Sequence, residues 1–323
     1  MTRAALLLAG LVATWGGSSV ESFSHVPGGQ RLPSRTSSRH PPTQQQWGRR
    51  SSLARRKRGT TAVVCPRAAT TAAIAESADY LENKEALKQD LRDEYASFFD
   101  NFESDRYLPD VEFIDPVTSF TGFQNYKKNL DMLGGRSALG NILFKDASIV
   151  LHDIEEPGAF RLRTRWTLTV CFKALPWQPV PRFTGISEYT VDDQARVIKQ
   201  VDYWDSINLV GGEYQKVSAL QGVKDFVGQV LPGAPEEDGA GGLLLRRAKD
   251  YEVRQSDEGR EVVASREFEE APSEETVEAN SAALMTSLSA DGLEAAGEPE
   301  LRSPSPSGAN QVSVKLTKHD WMA

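Results

Sequence analysis

Four side chains alternate along one extended run near the end of the patterned part of this chain: Ile198, Gln200, Asp202 and Trp204. Alternation places them on one face of a strand. Two large apolar groups then flank two polar ones, the makeup of a ligand pocket. A carboxylate in such a pocket loses hydration, and its pKa rises toward the range useful for proton transfer, so Asp202 is the sharpest catalytic candidate. A strand aspartate can equally be solvated or salt-bridged. Tyr107 is the candidate donor to a carbonyl, with a half-buried strand-edge tyrosine as the alternative. Glu188 is a further polar candidate for the same pocket. Trp166 and Trp204 could wall a flat ligand or fill an ordinary core. Arg161, Arg163 and Arg165 could hold an anion or form the solvated or interface face of a sheet.

Other chemistries are excluded by what the sequence lacks. Cys65 and Cys171 are its only cysteines, and its histidines, His25, His40, His152 and His319, are scattered, so no metal site is expected. His152 reads as a surface strand residue. No glycine-rich phosphate loop, nucleophile elbow or paired-cysteine motif occurs, which argues against nucleotide and dinucleotide enzymes.

The elements that must position these residues lie between about 77 and 232. Leu87, Leu91, Tyr95, Phe98 and Phe102 recur at helical spacing and form one apolar stripe. A second helix is expected over Phe123, Tyr126, Leu130 and Leu133, stopped by Gly134-Gly135. After it the period becomes two. Residues 147–154 form a candidate strand, and Glu155-Glu156-Pro157-Gly158 a turn. Next, Phe160, Leu162, Thr164, Trp166, Leu168, Val170 and Phe172 alternate with Arg161, Arg163, Arg165, Thr167, Thr169 and Cys171, which predicts one buried face. A strand over 183–191, a turn at Asp192-Asp193 and a last strand over 196–207 follow. Helices first and a meander afterwards predict an α+β domain. Beyond a Pro, Gly and acid-rich linker, residues 233–323 read as an acidic, mostly disordered tail.

The first 75 residues read as two addresses in series. Residues 1–22 have an early Arg3, a short apolar run and a small-residue end, the architecture of a signal peptide. Residues 23–75 carry ten Lys or Arg and no Asp or Glu, a composition that resembles a transit peptide and cannot bury a core. Arg49-Arg50 and Arg55-Arg56-Lys57-Arg58 alternatively read as a nuclear signal or nucleic-acid arm. A signal peptide followed by a transit peptide that begins at Phe23 resembles the leader of algae with secondary plastids, and implies the stroma of a complex plastid. The whole chain carries a net charge of −8, but this leader holds +10, leaving about −18 on the remainder. So acidic a protein repels nucleic acid and anionic membranes, and neither is an expected partner.

A family resemblance covers roughly residues 85–207. Tyr107-Leu108-Pro109-Asp110-Val111-Glu112-Phe113-Ile114-Asp115-Pro116 and Phe120-Thr121-Gly122-Phe123-Gln124-Asn125-Tyr126 resemble the opening of a plastid domain-of-unknown-function family, number 2358, in the nuclear transport factor 2-like (SnoaL-like) superfamily. Arg165-Trp166-Thr167-Leu168, Phe183-Thr184-Gly185-Ile186-Ser187-Glu188-Tyr189 and Lys199-Gln200-Val201-Asp202 follow in order. The resemblance implies a cone-shaped fold, a curved antiparallel sheet around a long N-terminal helix with a cavity between them. The superfamily holds isomerase- and dehydratase-like enzymes as well as inert binding and assembly domains, so fold leaves function open. Where the family's last strand usually has His, this chain has Gln200, a neutral group that cannot replace a titrating His. In the tail, Leu243-Leu244-Leu245-Arg246-Arg247-Ala248-Lys249-Asp250-Tyr251-Glu252-Val253-Arg254 and Val262-Val263-Ala264 resemble the first strands of a SOUL haem-binding domain over 243–268, which makes haem the one candidate cofactor.

Three functions follow. The favoured one is a non-catalytic module that binds or assembles an apolar small molecule, a tetrapyrrole or isoprenoid for example. The second is a small isomerase, dehydratase or cyclase with Asp202 as base and Tyr107 as donor. The third is a protein-interaction scaffold or homodimer using the Arg161 to Arg165 face of the sheet.

Overall fold

The computed structural model describes residues 73–100, 102, 105–232, 242–256, 261–302 and 308–317. Residues 1–72 of the expected leader and most of the linker after Pro232 lie outside these residues, while residues 73–75 are helical and Ile74 packs against the core.

Helix α1 (Ala78–Ala96) begins where the Ser77 hydroxyl accepts the Tyr80 N–H, satisfying one of the donors that a helix N-terminus leaves free. It buries Tyr80, Leu87, Leu91 and Tyr95 on one face. The apolar spacing outlives the helix: Phe98 and Phe99 adopt positive φ just beyond it, yet they and Phe102 stay buried in the core. Strands β1 (Tyr107–Ile114) and β2 (Ser119–Thr121) follow. Helix α2 (Phe123–Leu133) comes next, closed by Gly134 as the pattern predicts, and then the short α3 (Ala138–Leu143). Strands β3 (Lys145–Gly158), β4 (Arg161–Cys171), β5 (Arg182–Val191) and β6 (Val197–Trp204) complete a six-stranded sheet in the order β2-β1-β6-β5-β4-β3. Neighbours pair antiparallel except β1 and β6, which are parallel.

Two boundaries differ from expectation. Residues 155–158 belong to β3, paired irregularly with β4, so the hairpin turns at Ala159-Phe160 instead. The last strand stops at Trp204, where the chain coils into one helical turn, α4 (Asp205–Asn208). Asn208 accepts the Trp204 N–H through its Oδ1 at 2.7 Å, a side-chain acceptor that lets the backbone leave the sheet. Two short strands, β7 (Leu209–Val210) and β8 (Glu213–Tyr214), lead to α5 (Ala219–Val230), which opens with a Ser218/Gln221 capping box.

The mostly disordered tail expected after 232 is overturned. Strands β9 (Leu243–Arg247), β10 (Glu252–Gln255), β11 (Val262–Phe268), β12 (Glu300–Arg302) and β13 (Asn310–Lys315) form a five-stranded sheet in the order β12-β13-β11-β10-β9. Isolated strands could not have buried a core. Here α6 (Glu274–Ala290), capped by Ser273 and Thr276, brings Leu284 and Leu288 onto Val253, Ala264, Val312 and Val314. That core is separate from the one beneath the first sheet. Among the described residues no helix is long and apolar enough to cross a membrane.

Candidate functional site

The inner face of the first sheet is built in rows across β4, β5 and β6. Thr164, Ser187 and Asp202 stand opposite one another in one row, and Trp166, Gly185 and Trp204 in the next. Gly185 is required there: a Cβ would lie 2.1 Å from the Tyr203 carbonyl oxygen and 3.1 Å from the Trp166 ring. A polar row therefore sits beside a row of two indoles. Helix α1 crosses this face and sets Tyr95 over the polar row, its hydroxyl 2.9 Å from Thr164 Oγ1, 3.3 Å from Ser187 Oγ and 3.1 Å from the Tyr189 hydroxyl.

Between helix and sheet lies a cavity of about 80 Å³. Its walls include Phe98, Phe113, Tyr126, Trp166, Phe183 and Trp204, and Phe226 of α5 closes one side. The polar residues lining it are few: Asp115, Asn129, Ser187, Gln200, Asp202 and the tyrosines Tyr95 and Tyr126. Tyr126 donates to Gln200 Oε1 at 2.6 Å, and Gln200 Nε2 donates to Asp202 Oδ1 at 2.8 Å. Trp166 Nε1 donates to Ser187 Oγ at 2.9 Å.

Asp202 is half-buried, and the exposure it keeps is to this cavity. Burial pushes its pKa up to about 6 against the opposing hydrogen bonds from Gln200 and Ser187. Asp115, just beyond the end of β1, faces the same cavity. Its Oδ1 accepts the backbone N–H groups of Val117 at 2.7 Å and Thr118 at 2.5 Å, so Oδ2 is the oxygen with which it can meet a ligand. Burial raises its pKa to about 7; the two backbone bonds pull it down and the Asp202 charge adds to the rise. The cavity thus offers two carboxyls near neutrality, where the sequence offered one.

Gln200, Asp202, Trp166 and Trp204 come together as read from the alternation. Ile198 does not. The register slips between Thr190↔Lys199 and Val191↔Val197, so β6 bulges, Val197 turns inward to the core, and Ile198 lies outside the cavity lining. Tyr107 is buried, but its hydroxyl donates to Glu94 Oε2 at 2.8 Å and its ring packs on Phe102 and Phe123, away from the cavity. Burial lifts Glu94 to about 8, opposed by that bond from Tyr107. Glu188 points from the other face of β5, where it accepts Arg163 at 2.7 Å.

That other face also corrects the reading of Arg161 to Arg165 as an open surface. Arg165 is buried and reaches both Asp205 carboxyl oxygens, at 3.0 and 3.3 Å. Over it lies β9: Thr167 Oγ1 donates to the Leu244 carbonyl, the Arg247 N–H to Thr184 Oγ1, both at 2.7 Å, and Arg165 Nη1 to the Leu245 carbonyl at 3.3 Å. The chain's own second unit occupies that part of the face. His152 belongs to this side, its Nε2 2.8 Å from Thr167 Oγ1, and burial with the Arg165 charge lowers its pKa to about 4. Among the described residues no cluster of His, Cys, Asp and Glu could hold a metal ion.

Residues 85–200 match the model of a family described as an uncharacterized conserved protein, DUF2358. No curated protein matches the chain. Among solved structures, a candidate polyketide cyclase from a Silicibacter species is 13% identical, covering 47% of this chain and 98% of its own, with a TM-score of 0.32. An LEH-like epoxide hydrolase from M. tuberculosis is 15% identical, covering 39% and 84%, at 0.30. An NTF2-like protein from Anabaena variabilis is 11% identical, covering 41% and 92%, at 0.30.

Proposed function

We propose that residues 77–232 form the small-molecule pocket of a plastid protein, one that takes a mostly apolar ligand and fixes it through one or two polar groups at the cavity floor. The carrying observation is the cavity itself: aromatic walls, with Asp202 held by Gln200 and Ser187 at one place on them. A pocket lined by apolar surface with a few convergent polar groups is the form that small-ligand sites take. No metal or cofactor enters this reading.

A second reading is acid-base catalysis, and one observation favours it. Asp115 and Asp202 face the same cavity with pKa values raised to about 7 and about 6, so one can hold a proton while the other accepts one near neutrality. Tyr107 has no part in it, being bonded to Glu94.

The test is to purify the full chain from plastid extract and identify the retained molecule by native mass spectrometry. Its conversion is then followed in the parent and in Asp202→Asn. Retention without turnover in either supports the binding module. Turnover lost in Asp202→Asn while retention persists transfers the function to catalysis. A cavity that carries no molecule and takes none up overturns both.

A further inference from the structure

The cavity's charge composition goes further than its shape. Two carboxyls face it, Asp115 and Asp202, and no Lys, Arg or His is among the residues that line it. The nearby guanidinium of Arg136 lies 5.9 Å from the Phe98 ring centre and is paired with Asp131 at 2.8 Å. On the opposite face of the same sheet the buried carboxylate has its cation, Asp205 with Arg165 at 3.0 Å. A buried charge is ordinarily paired, so the cavity is built with acids whose counter-charge the lining does not supply. Its walls include the rings of Trp166, Trp204, Phe183 and Tyr126, and aromatic rings attract cations.

We propose that the ligand of this pocket is an organic cation, a largely apolar molecule carrying a basic nitrogen that docks against Asp202 and Asp115. The proposal rests on the small-molecule reading above and narrows it. A protonated amine gives each carboxylate the charge-assisted partner the lining lacks, whereas a carboxylate or phosphate ligand would meet like charge in a desolvated space. Cation binding favours the ionised acids, so affinity rises with pH across their titration. The groups facing these two acids are Tyr95 of α1, Tyr126 of α2, Ser187 of β5 and Gln200 of β6, with the Val117 and Thr118 backbone around Asp115. Glu94 lies behind Tyr107 and also titrates, near 8.

The test is isothermal titration of the full chain with three probes of similar small bulk: isobutylamine, isobutanol and isobutyrate. The amine should bind at least about tenfold tighter than the alcohol, the size of one charge-assisted hydrogen bond, with isobutyrate weakest. Asp202→Asn and Asp115→Asn should each shrink that advantage, the double variant should remove it, and alcohol binding should persist in all three. Raising the pH from about 5 to about 8 should strengthen amine binding and leave the alcohol unchanged. Equal binding of amine and alcohol, or an advantage that survives in the double variant, overturns the inference while the pocket stands. Failure of all three probes to bind overturns the pocket as well. Thermal melts of each variant, read beside alcohol binding, separate loss of fold from loss of charge.

Discussion

Asp202 and Asp205 are three residues apart, yet they sit on opposite sides of one sheet and live under opposite electrostatics. Asp205 is wholly buried, and although burial raises its pKa, the charges of Arg165 and Arg246 and the bonds from Arg165 and Tyr214 bring the net shift below the usual carboxylate range. Asp202 has amide and hydroxyl partners but no cation, and its pKa rises to about 6. The helical turn at 205 makes the difference, carrying one carboxylate under β9 while its neighbour stays at the cavity. A carboxylate whose partners are complete is part of the scaffold. One that lines the cavity with no cation beside it is available to a ligand.

The comparison breaks most visibly if one member of the outer pair is removed. Arg165→Met or Asp205→Asn should cost about 3–5 kcal/mol, because the remaining charge stays buried without its partner. Asp202→Asn should cost nothing and at neutral pH should stabilise, because it removes a buried charge that has no cation beside it. Urea unfolding midpoints at neutral pH give both values, and equal losses would erase the distinction.

A smaller effect tests whether β9 holds the outer face closed. Thr184 accepts the Arg247 N–H and donates to Asp205 Oδ2, each at 2.7 Å. Thr184→Val should cost about 1–3 kcal/mol through those unmade bonds. Hydrogen exchange should show protection falling first in β9.

The pH dependence of stability has opposite signs on the two faces. Asp202 and Asp115 have folded pKa values raised to about 6 and about 7, so the folded state holds protons that the unfolded state has released. Stability therefore falls as pH rises from the usual carboxylate range through those values, by up to about 1.4 kcal/mol per pH unit for each group. The depressed Asp205 contributes stability that is full above its ordinary pKa and lost as pH falls through its folded one. Asp202→Asn should flatten the slope between about pH 4 and 6 and leave acid unfolding below it unchanged. Asp115 and Glu94, raised to about 7 and about 8, keep a residual fall within and above that window.

The smallest effect is at Glu188. Its bond to Arg163 is half-exposed, and such pairs contribute about 0–1 kcal/mol. Glu188→Gln should leave ligand affinity unchanged, and an affinity loss would return Glu188 to the site.

Much of this was legible in the residues. Alternation along 160–172 and 198–204 assigned the inner face of β4 and put Gln200, Asp202 and Trp204 together, because a period of two has no other solution once one face is buried. What escaped was set by tertiary geometry. The bulge at Val197 to Lys199 moved Ile198 out by adding a residue that no local pattern announces. Asp115 stands before a proline just past β1; its capture of the Val117 and Thr118 N–H groups is a local turn signal, but its place in the cavity depends on α2 and α5, whose Asn129 and Phe226 line it too. Strands over 243–268 were read as a fragment, but the rest of that unit was missed because α6 has a weak apolar stripe in a Ser, Glu and Ala-rich stretch. Only the Ser273 to Thr276 cap advertised it, and β12 and β13 make sense only once that helix covers them.

The most direct measurement is an NMR titration of the aspartate carboxyl carbons in the full chain, with the resonances of Asp202 and Asp205 assigned by Asn substitution. The account predicts that Asp202 titrates near 6 and moves when a ligand enters the cavity, while Asp205 stays below the ordinary carboxylate range and does not respond. An Asp202 that titrates like a solvated carboxylate, unchanged by any ligand the protein binds, would contradict it.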